Sequence, residues 1–267
     1  MTRTCVIAQP TFFPWLGWFD LADQSDVTIL LDDVQFSKQS WQQRNRIRTP
    51  NGLEFLSVPI RTSGRLGQRI VDCEFANQGF VTKMLKSLQA NYAKAPFYAG
   101  VIDDLAATME TAVRSNRLVE LNCALVSWMA ARLGVVCPMI RASTLGVGGQ
   151  RGAHVAAICA SVGADRYLSP AGSEAYLIED RASFAERGIS VWLHVYDHPE
   201  YQQRFAPFIP YASAIDLIFN AGPSAPAVMR SGRQPARALP GPADAAASER
   251  PTVTWDPAGG TEGGTLQ

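Results

Sequence analysis

Two adjacent carboxylates, Asp32 and Asp33, close the apolar run Asp26-Val-Thr-Ile-Leu-Leu-Asp-Asp33. Carboxylates so placed can act as a general base or offer oxygen to a hard cation such as Mg²⁺. Shortly after them, Lys38, Arg44, Arg46 and Arg48 gather four cations beside Trp41 and several amides. Guanidinium groups suit bidentate contacts with phosphate or carboxylate. In an extended chain Arg44, Arg46 and Arg48 share one face, and Asn45 and Ile47 take the other. His198 adds an imidazole whose ordinary pKa lies near neutrality, which suits acid–base work. His194, Asp197 and His198 do not share a helical turn and have no Cys or third His beside them. That spacing argues against a zinc ligand set, and no metal ligand is assigned. His154 falls in a helical stretch and is assigned to its surface. No serine sits in a Gly-x-Ser-x-Gly elbow, so covalent hydrolase chemistry is not expected.

The elements that must position these groups begin with Cys5 to Ala8, an apolar run short enough for a buried strand. It breaks at Gln9-Pro10, because proline lacks a ladder donor and biases its predecessor toward extended geometry. Pro14 and Gly17 frame a second turn before a helix ending near Gln24. A strand, a Pro/Gly loop and a helix place free backbone N–H groups where an anion or nucleotide phosphate binds. Gln9, Pro10, Pro14 and Gly17 are therefore candidates to shape a pocket. Phe12, Phe13, Trp15, Trp18 and Phe19 add rings able to stack on a base or sugar. The loop is neither a Walker loop nor a Gly-x-Gly-x-x-Gly fingerprint. Asp26 to Asp33 reads as a second buried strand, so both Gln9 and Asp32-Asp33 fall at strand carboxyl ends, where open α/β sheets bind ligands.

Thr49-Pro-Asn-Gly52 is a turn that closes a hairpin between Arg46-Ile-Arg48 and Leu53 to Ile60. Ile70 to Phe75 reads as a short strand. Helical spacing runs from Phe80 to Tyr92, from Pro96 onward, and from Arg117 to Leu133 with Gly134 as its stop, so 78–134 is expected to be mainly helical. Val135 to Arg141 returns to strand, and Gln150 to Val162 to helix. Arg166 to Ser173 repeats the strand-and-loop device, followed by helices to Arg187 and a strand over Ile189 to Tyr196. Ser213 caps a last helix stopped by Gly222. From 224 to 267 the chain is rich in Ala, Pro and Gly and is expected to be a disordered tail. The predicted fold is a single three-layer α/β unit over 1–223, Rossmann-like, with a mainly parallel central sheet and a nucleotidyltransferase-like start.

Composition narrows the setting. Of 267 residues, 47% are hydrophobic and 18% charged, which is ordinary for a globular protein with a sizeable core. Lys plus Arg and Asp plus Glu each total 24, so no global field selects nucleic acid or an anionic membrane. Five scattered cysteines fit buried free thiols in a reducing cytoplasm better than a disulfide frame. No stretch approaches the roughly 20 apolar residues of a membrane span, and the start does not read as a signal peptide. A cytoplasmic location is expected.

Several separated strings together resemble the WbqC-like proteins of bacterial surface-polysaccharide and related biosynthetic clusters. They are Gln9-Pro-x3-Pro-x2-Gly-Trp-Phe19, Leu31-Asp-Asp-Val-Gln-Phe36 and Trp41-x2-Arg-Asn-Arg-Ile47, then Tyr167-Leu-Ser169, His198-Pro-x-Tyr-x-Gln203 and Ser213-x2-Asp-Leu-Ile-Phe-Asn-x-Gly222. One departure is Pro170-Ala-Gly-Ser173, where relatives more often carry a glycine-richer turn. The opening motif also resembles the HxGH-type loop of nucleotidyltransferases, with Trp18 where a histidine is expected. That substitution counts against plain adenylyl transfer.

The resemblance implies group transfer to an amino sugar or another small amine. Joined to the residues above, it predicts a transferase that takes an acyl or amino-acyl unit from an activated, phosphate-bearing donor. Lys38, Arg44 and Arg46 would hold the donor's anionic part, and Asp32, Asp33 or His198 would take the amine's proton. Gln9, Asn45, Tyr201 and Gln202 would orient the partners, with Trp41, Ser169 and Asn220 in the same binding set. A nucleotide-bearing donor, an aminoacyl-tRNA and an Mg²⁺ requirement are all compatible with these residues. Two other readings use the same residues: an Mg²⁺-dependent nucleotidyltransferase, and a non-catalytic binding or scaffold protein of a biosynthetic cluster.

Overall fold

A computed structural model describes residues 2–240. Its strands are β1 (Thr4–Ala8), β2 (Val27–Leu30), β3 (Arg44–Thr49), β4 (Gly52–Ser57), β5 (Met139–Arg141), β6 (Arg166–Pro170), β7 (Ser190–His194) and β8 (Arg237–Ala238). Its helices are α1 (Leu16–Asp23), α2 (Phe80–Tyr92), α3 (Ile102–Val113), α4 (Leu118–Arg132), α5 (Arg151–Ser161), α6 (Glu174–Glu179), α7 (Arg181–Ala185), α8 (Ala214–Ala221) and α9 (Ala225–Ser231). Six strands form one sheet in the order β5-β2-β1-β6-β7-β8, and β3 and β4 form a separate two-stranded ribbon. All pairings in the large sheet are parallel except β7 with β8. This is the mainly parallel α/β architecture expected from the alternation of elements.

The period-2 pattern of β1 builds two cores at once. Cys5 and Ile7 join α5, α6 and α7 on one face of the sheet through Val155, Ile158, Leu177 and Phe184. Val6 and Ala8 face the other layer, where Phe12, Phe13, Leu16 and Phe19 meet α4 and α8. Burial on both faces is why β1 and β2 read as continuous apolar runs.

Several boundaries differ from expectation. Ile70 to Asp72 is a single 3₁₀ turn, and Phe75 makes only an isolated bridge to Ile60. The segment lies against α4 and the 32–34 stretch, so Ile70 is buried without a neighbouring strand to pair with. The helix expected from Pro96 starts at Ile102 after a series of turns. Only Met139–Arg141 of the 135–141 run pairs with β2. The ordered chain also passes residue 223. In α9, Ala225 and Met229 are buried, and β8 pairs antiparallel with β7, so 224–240 belongs to the fold. The rest of the expected tail, 241–267, lies outside the described residues.

Candidate functional site

The carboxyl ends of β5, β2, β1, β6 and β7 lie along one edge of the sheet. The chain leaves β1 toward β2 on one side and has β6 on the other, so the order reverses between β1 and β6. Ligands of open α/β sheets bind at such reversals.

On the β2 side the two carboxylates have separate fates. Asp32 is fully buried. Its Oδ1 accepts from Ser143 N (2.9 Å), and its Oδ2 from Arg141 Nε (2.7 Å) and Ser143 Oγ (2.8 Å). Arg141 also holds Glu120, so Asp32 ties β2 to β5 and α4. With both oxygens engaged, Asp32 is a poorly placed proton acceptor, contrary to its expected equivalence with Asp33.

Asp33 instead pairs with His154, Oδ2 lying 3.0 Å from Nε2. His154 was expected on a helix surface, but it is 8% exposed and sits in the first turn of α5, packed over the end of β2. Gly149, at φ 136°, lets the backbone run against His154; a Cβ there would stand 2.9 Å from His154 Cα. An ionised carboxylate on Nε2 requires the proton at Nε2, so in the neutral form of the ring the lone pair is on Nδ1. His154 Nδ1 and Asp33 Oδ1 are both buried with no protein partner.

At the centre, Gln9 is exposed, and its Oε1 accepts from Gln42 Nε2 at 2.8 Å. Gln42 and Asn122 are both buried, and nothing in their spacing marks them in the sequence. Asn122 Nδ2 donates to Pro10 O (2.7 Å) and Gln42 O (2.8 Å), pinning the β1 loop to the segment before β3. Asn45 works the same way, donating to Phe12 O (3.1 Å) and Phe13 O (2.8 Å). It is a buried latch for the loop. Phe12, Phe13 and Phe19 are buried at 0–1% exposure, so these rings are core and not a stacking platform. Each such burial contributes about 1.5–3 kcal/mol relative to exposure. Ser169, at the end of β6, is also fully buried, with its hydroxyl on Pro170 O.

Pro14 O receives Ala214 N, which joins the loop to α8. Gly17 is needed for a close approach of the Trp15 indole: a Cβ would stand 2.3 Å from its ring. That indole covers the first turn of α1, where a phosphate was expected. Trp15 in turn stacks on His198 (ring centroids 6.3 Å, 15° apart) and touches Tyr196 and Tyr211.

His198 lies among these rings with Nδ1 3.0 Å from Pro199 O and a buried, unpartnered Nε2. Burial holds its pKa below the ordinary value, so the ring is neutral at pH 7. Above about 6.5, the unfolded-state value, folded and unfolded forms are both neutral at this ring. As pH falls below that point the unfolded chain takes up the proton first, and stability is lost down to the folded-state pKa. The melting temperature is therefore expected to fall between pH 7 and pH 5 less steeply in His198→Phe than in the parent. Parallel melting curves across that range would contradict this placement.

The remaining candidates divide between interior and surface. Tyr201 OH donates to buried Asp216 (2.8 Å), and Asn220 Nδ2 donates back to Asp216 O (2.8 Å), so both serve the interior. Gln202 and Lys38 are exposed. Arg48 leaves the expected arginine face: it is 2% exposed, and its guanidinium donates to the carbonyls of Thr49, Gly52, Phe205 and Pro207. Arg44 and Arg46 remain partly exposed and hold no carboxylate among the described residues. His194, weighed above as a metal ligand, bonds to Asp20 at 2.8 Å. Among the described residues no three His, Cys, Asp or Glu side chains converge on a common point.

The fold is an open, mainly parallel α/β sheet whose strand order reverses between β1 and β6. The chain belongs to the WbqC-like protein family, whose model matches residues 9–228. Membership suggests a biosynthetic role. One curated relative, "Uncharacterized protein Rv1507c" of Mycobacterium tuberculosis (strain ATCC 25618 / H37Rv), is 31% identical over 233 residues, covering 87% of this chain and 100% of the relative. No solved structure matches the chain significantly. No described helix is long and apolar enough to cross a membrane.

Proposed function

We propose that this protein is a biosynthetic transferase that passes an acyl or amino-acyl unit from an activated, phosphate-bearing donor to an amine. The observation that carries the reading is the Asp33–His154 pair, oriented by one hydrogen bond and left with two unpartnered polar atoms at the strand ends. As the amine nitrogen bonds to the acyl carbon, the bond from that carbon to the phosphate-bearing carrier breaks and the carrier leaves with its electron pair. The amine must also lose a proton, which a neutral imidazole backed by a carboxylate is suited to take and pass to the departing carrier. The carboxylate also stabilises the imidazolium that forms. Arg44 and Arg46 supply uncompensated positive charge for the donor's anionic part, and positioning by such contacts lowers the barrier without new covalent chemistry.

Nucleotidyl transfer on a paired-carboxylate Mg²⁺ site fits less well, because Asp32 already spends both oxygens on Arg141 and Ser143. The test incubates the full chain with acyl-CoAs, aminoacyl adenylates or aminoacyl-tRNA, against a panel of amines and amino sugars, with and without Mg²⁺. Mass spectrometry should find an amide product without net nucleotidyl addition to the acceptor. An acceptor carrying a nucleotidyl group, formed with pyrophosphate release from a nucleoside triphosphate, would replace this reading with the nucleotidyltransferase.

A further inference from the structure

The β3–β4 ribbon keeps Asn45, Ile47 and Leu56 buried and leaves part of its other face open. Its register sets Arg44 opposite Ser57 and Arg46 opposite Phe55, and directly opposed residues share a face. Guanidinium and ring groups are interleaved there. Arg44 Cζ lies 4.3 Å from the Phe55 centroid, Phe55 lies 5.9 Å from Trp41, and Arg46 Cζ lies 5.3 Å from Trp41. The Tyr211 carbonyl accepts from Arg46 Nη2 at 3.5 Å, while the Tyr211 ring lies against Trp15 and His198.

Phe55 is 40% exposed and Tyr211 42%, two of the few large apolar side chains left open to solvent. Tyr211 also holds φ at 65°, a conformation uncommon outside glycine. A lone exposed ring needs no explanation. One lying under a guanidinium that pairs with no carboxylate among the described residues is a different case, and Phe55 lies so under Arg44. Burial lowers the pKa of Arg46, yet a guanidinium stays charged at neutral pH, so its half-desolvated charge is set to bind an anion. An exposed aromatic face beside such a cation meets both halves of a nucleotide: stacking for the base and charge-assisted hydrogen bonds for the phosphate.

We propose that this face is a nucleotide subsite, with Arg44 and Arg46 taking the phosphate and Phe55 stacking the base of a nucleoside phosphate. The inference deepens the proposed transfer by naming the donor's carrier, and it rests on that reading for its role in turnover. The same chemistry is presented by a free nucleotide, a nucleotide-containing carrier or the end of an RNA strand.

The experiment titrates the full chain with adenosine monophosphate, adenosine, inorganic phosphate and a short single-stranded RNA ending in adenosine. Adenosine monophosphate should bind more tightly than adenosine or phosphate alone. Phe55→Ala and Arg46→Gln should each weaken it on the order of tenfold, the scale of one lost stacking or phosphate contact. Arg46→Gln should leave adenosine binding unchanged. Because Arg46 is half-buried, Arg44→Gln serves as a second cation variant, and melting temperatures check that all three fold. RNA binding well above that of the mononucleotide, with a steep salt dependence, would identify a polynucleotide source; equal affinities would identify a small carrier. Equal affinity for adenosine monophosphate in the parent and all three folded variants would overturn the subsite, as would no binding to it or to RNA. Nucleotide binding with no transfer from any donor would retire the proposed reaction and leave the subsite standing. Turnover whose KM is unchanged in Phe55→Ala would do the reverse.

Discussion

Asp33→Asn and His154→Gln are each expected to lower turnover of the proposed transfer by about 10²–10⁴-fold, the range for loss of a positioned base or of the carboxylate that orients it. The asparagine amide is isosteric with the carboxylate, but it carries no charge to stabilise an imidazolium. It can also donate to Nε2, which would move the ring proton onto Nδ1 and remove the lone pair from the atom that lacks a protein partner. Because the two residues act as one unit, the double variant should be scarcely slower than either single one. Asp32→Asn should behave differently. Its carboxylate is engaged by Arg141 and Ser143, so the loss should appear in melting temperature as well as in rate. Kinetics of the four variants, read with their melting curves, check the assignment. Multiplicative losses in the double variant would show that Asp33 and His154 act separately.

Asp216→Ala is expected to cost about 3–5 kcal/mol of stability, the scale of removing one partner from a buried charged network. Asp216 is fully buried at the start of α8. Its Oδ1 accepts from Tyr92 OH (2.8 Å), and its Oδ2 from Tyr201 OH (2.8 Å) and Gln203 Nε2 (3.1 Å). Tyr92 OH in turn accepts from Arg48 N at 2.8 Å, so the network joins α2, α8, β3 and the 201–203 segment. Burial pushes the Asp216 pKa up while its three donors pull it down, and the upward push prevails. Alanine would leave the Tyr92 and Tyr201 hydroxyls without an acceptor and Gln203 Nε2 with Ile209 O alone. For a chain of this size the melting temperature should drop by roughly 10 °C. Asp216→Asn keeps one acceptor oxygen and should lose less. A change of under about 1 kcal/mol in Asp216→Ala, within the range of ordinary surface substitutions, would refute this account.

The legible part of the fold was its periodicity. The helix expected over Phe80 to Tyr92 has those bounds, and that over Arg117 to Leu133 differs by one residue at each end, because apolar spacing reports which face must be buried. Short apolar runs were less informative. Ile70 to Asp72 and Val135 to Pro138 look like strands locally, yet a strand exists only where a neighbour supplies its ladder. The fold runs past residue 223, where composition predicts a tail, for a related reason. Ala, Pro and Gly in 224–240 promise little core, but Ala225 and Met229 fill a space already enclosed by other helices.

Residue type and spacing were thus enough to establish an α/β chain with a mainly parallel sheet, to carry the family resemblance, and to bring Gln9 and Asp33 to strand ends. They were blind to how chemically similar residues divide their work. Asp32 and Asp33 are neighbours, yet alternation along the chain sends one to Arg141 and the other to His154, which comes from 121 residues away. Alternation along an extended chain predicts one face for Arg44, Arg46 and Arg48, yet Arg48 alone is enclosed by the carbonyls of the 205–207 segment. A side chain's role depends on whether its hydrogen-bonding capacity is already spent, and here distant parts of the chain spend it.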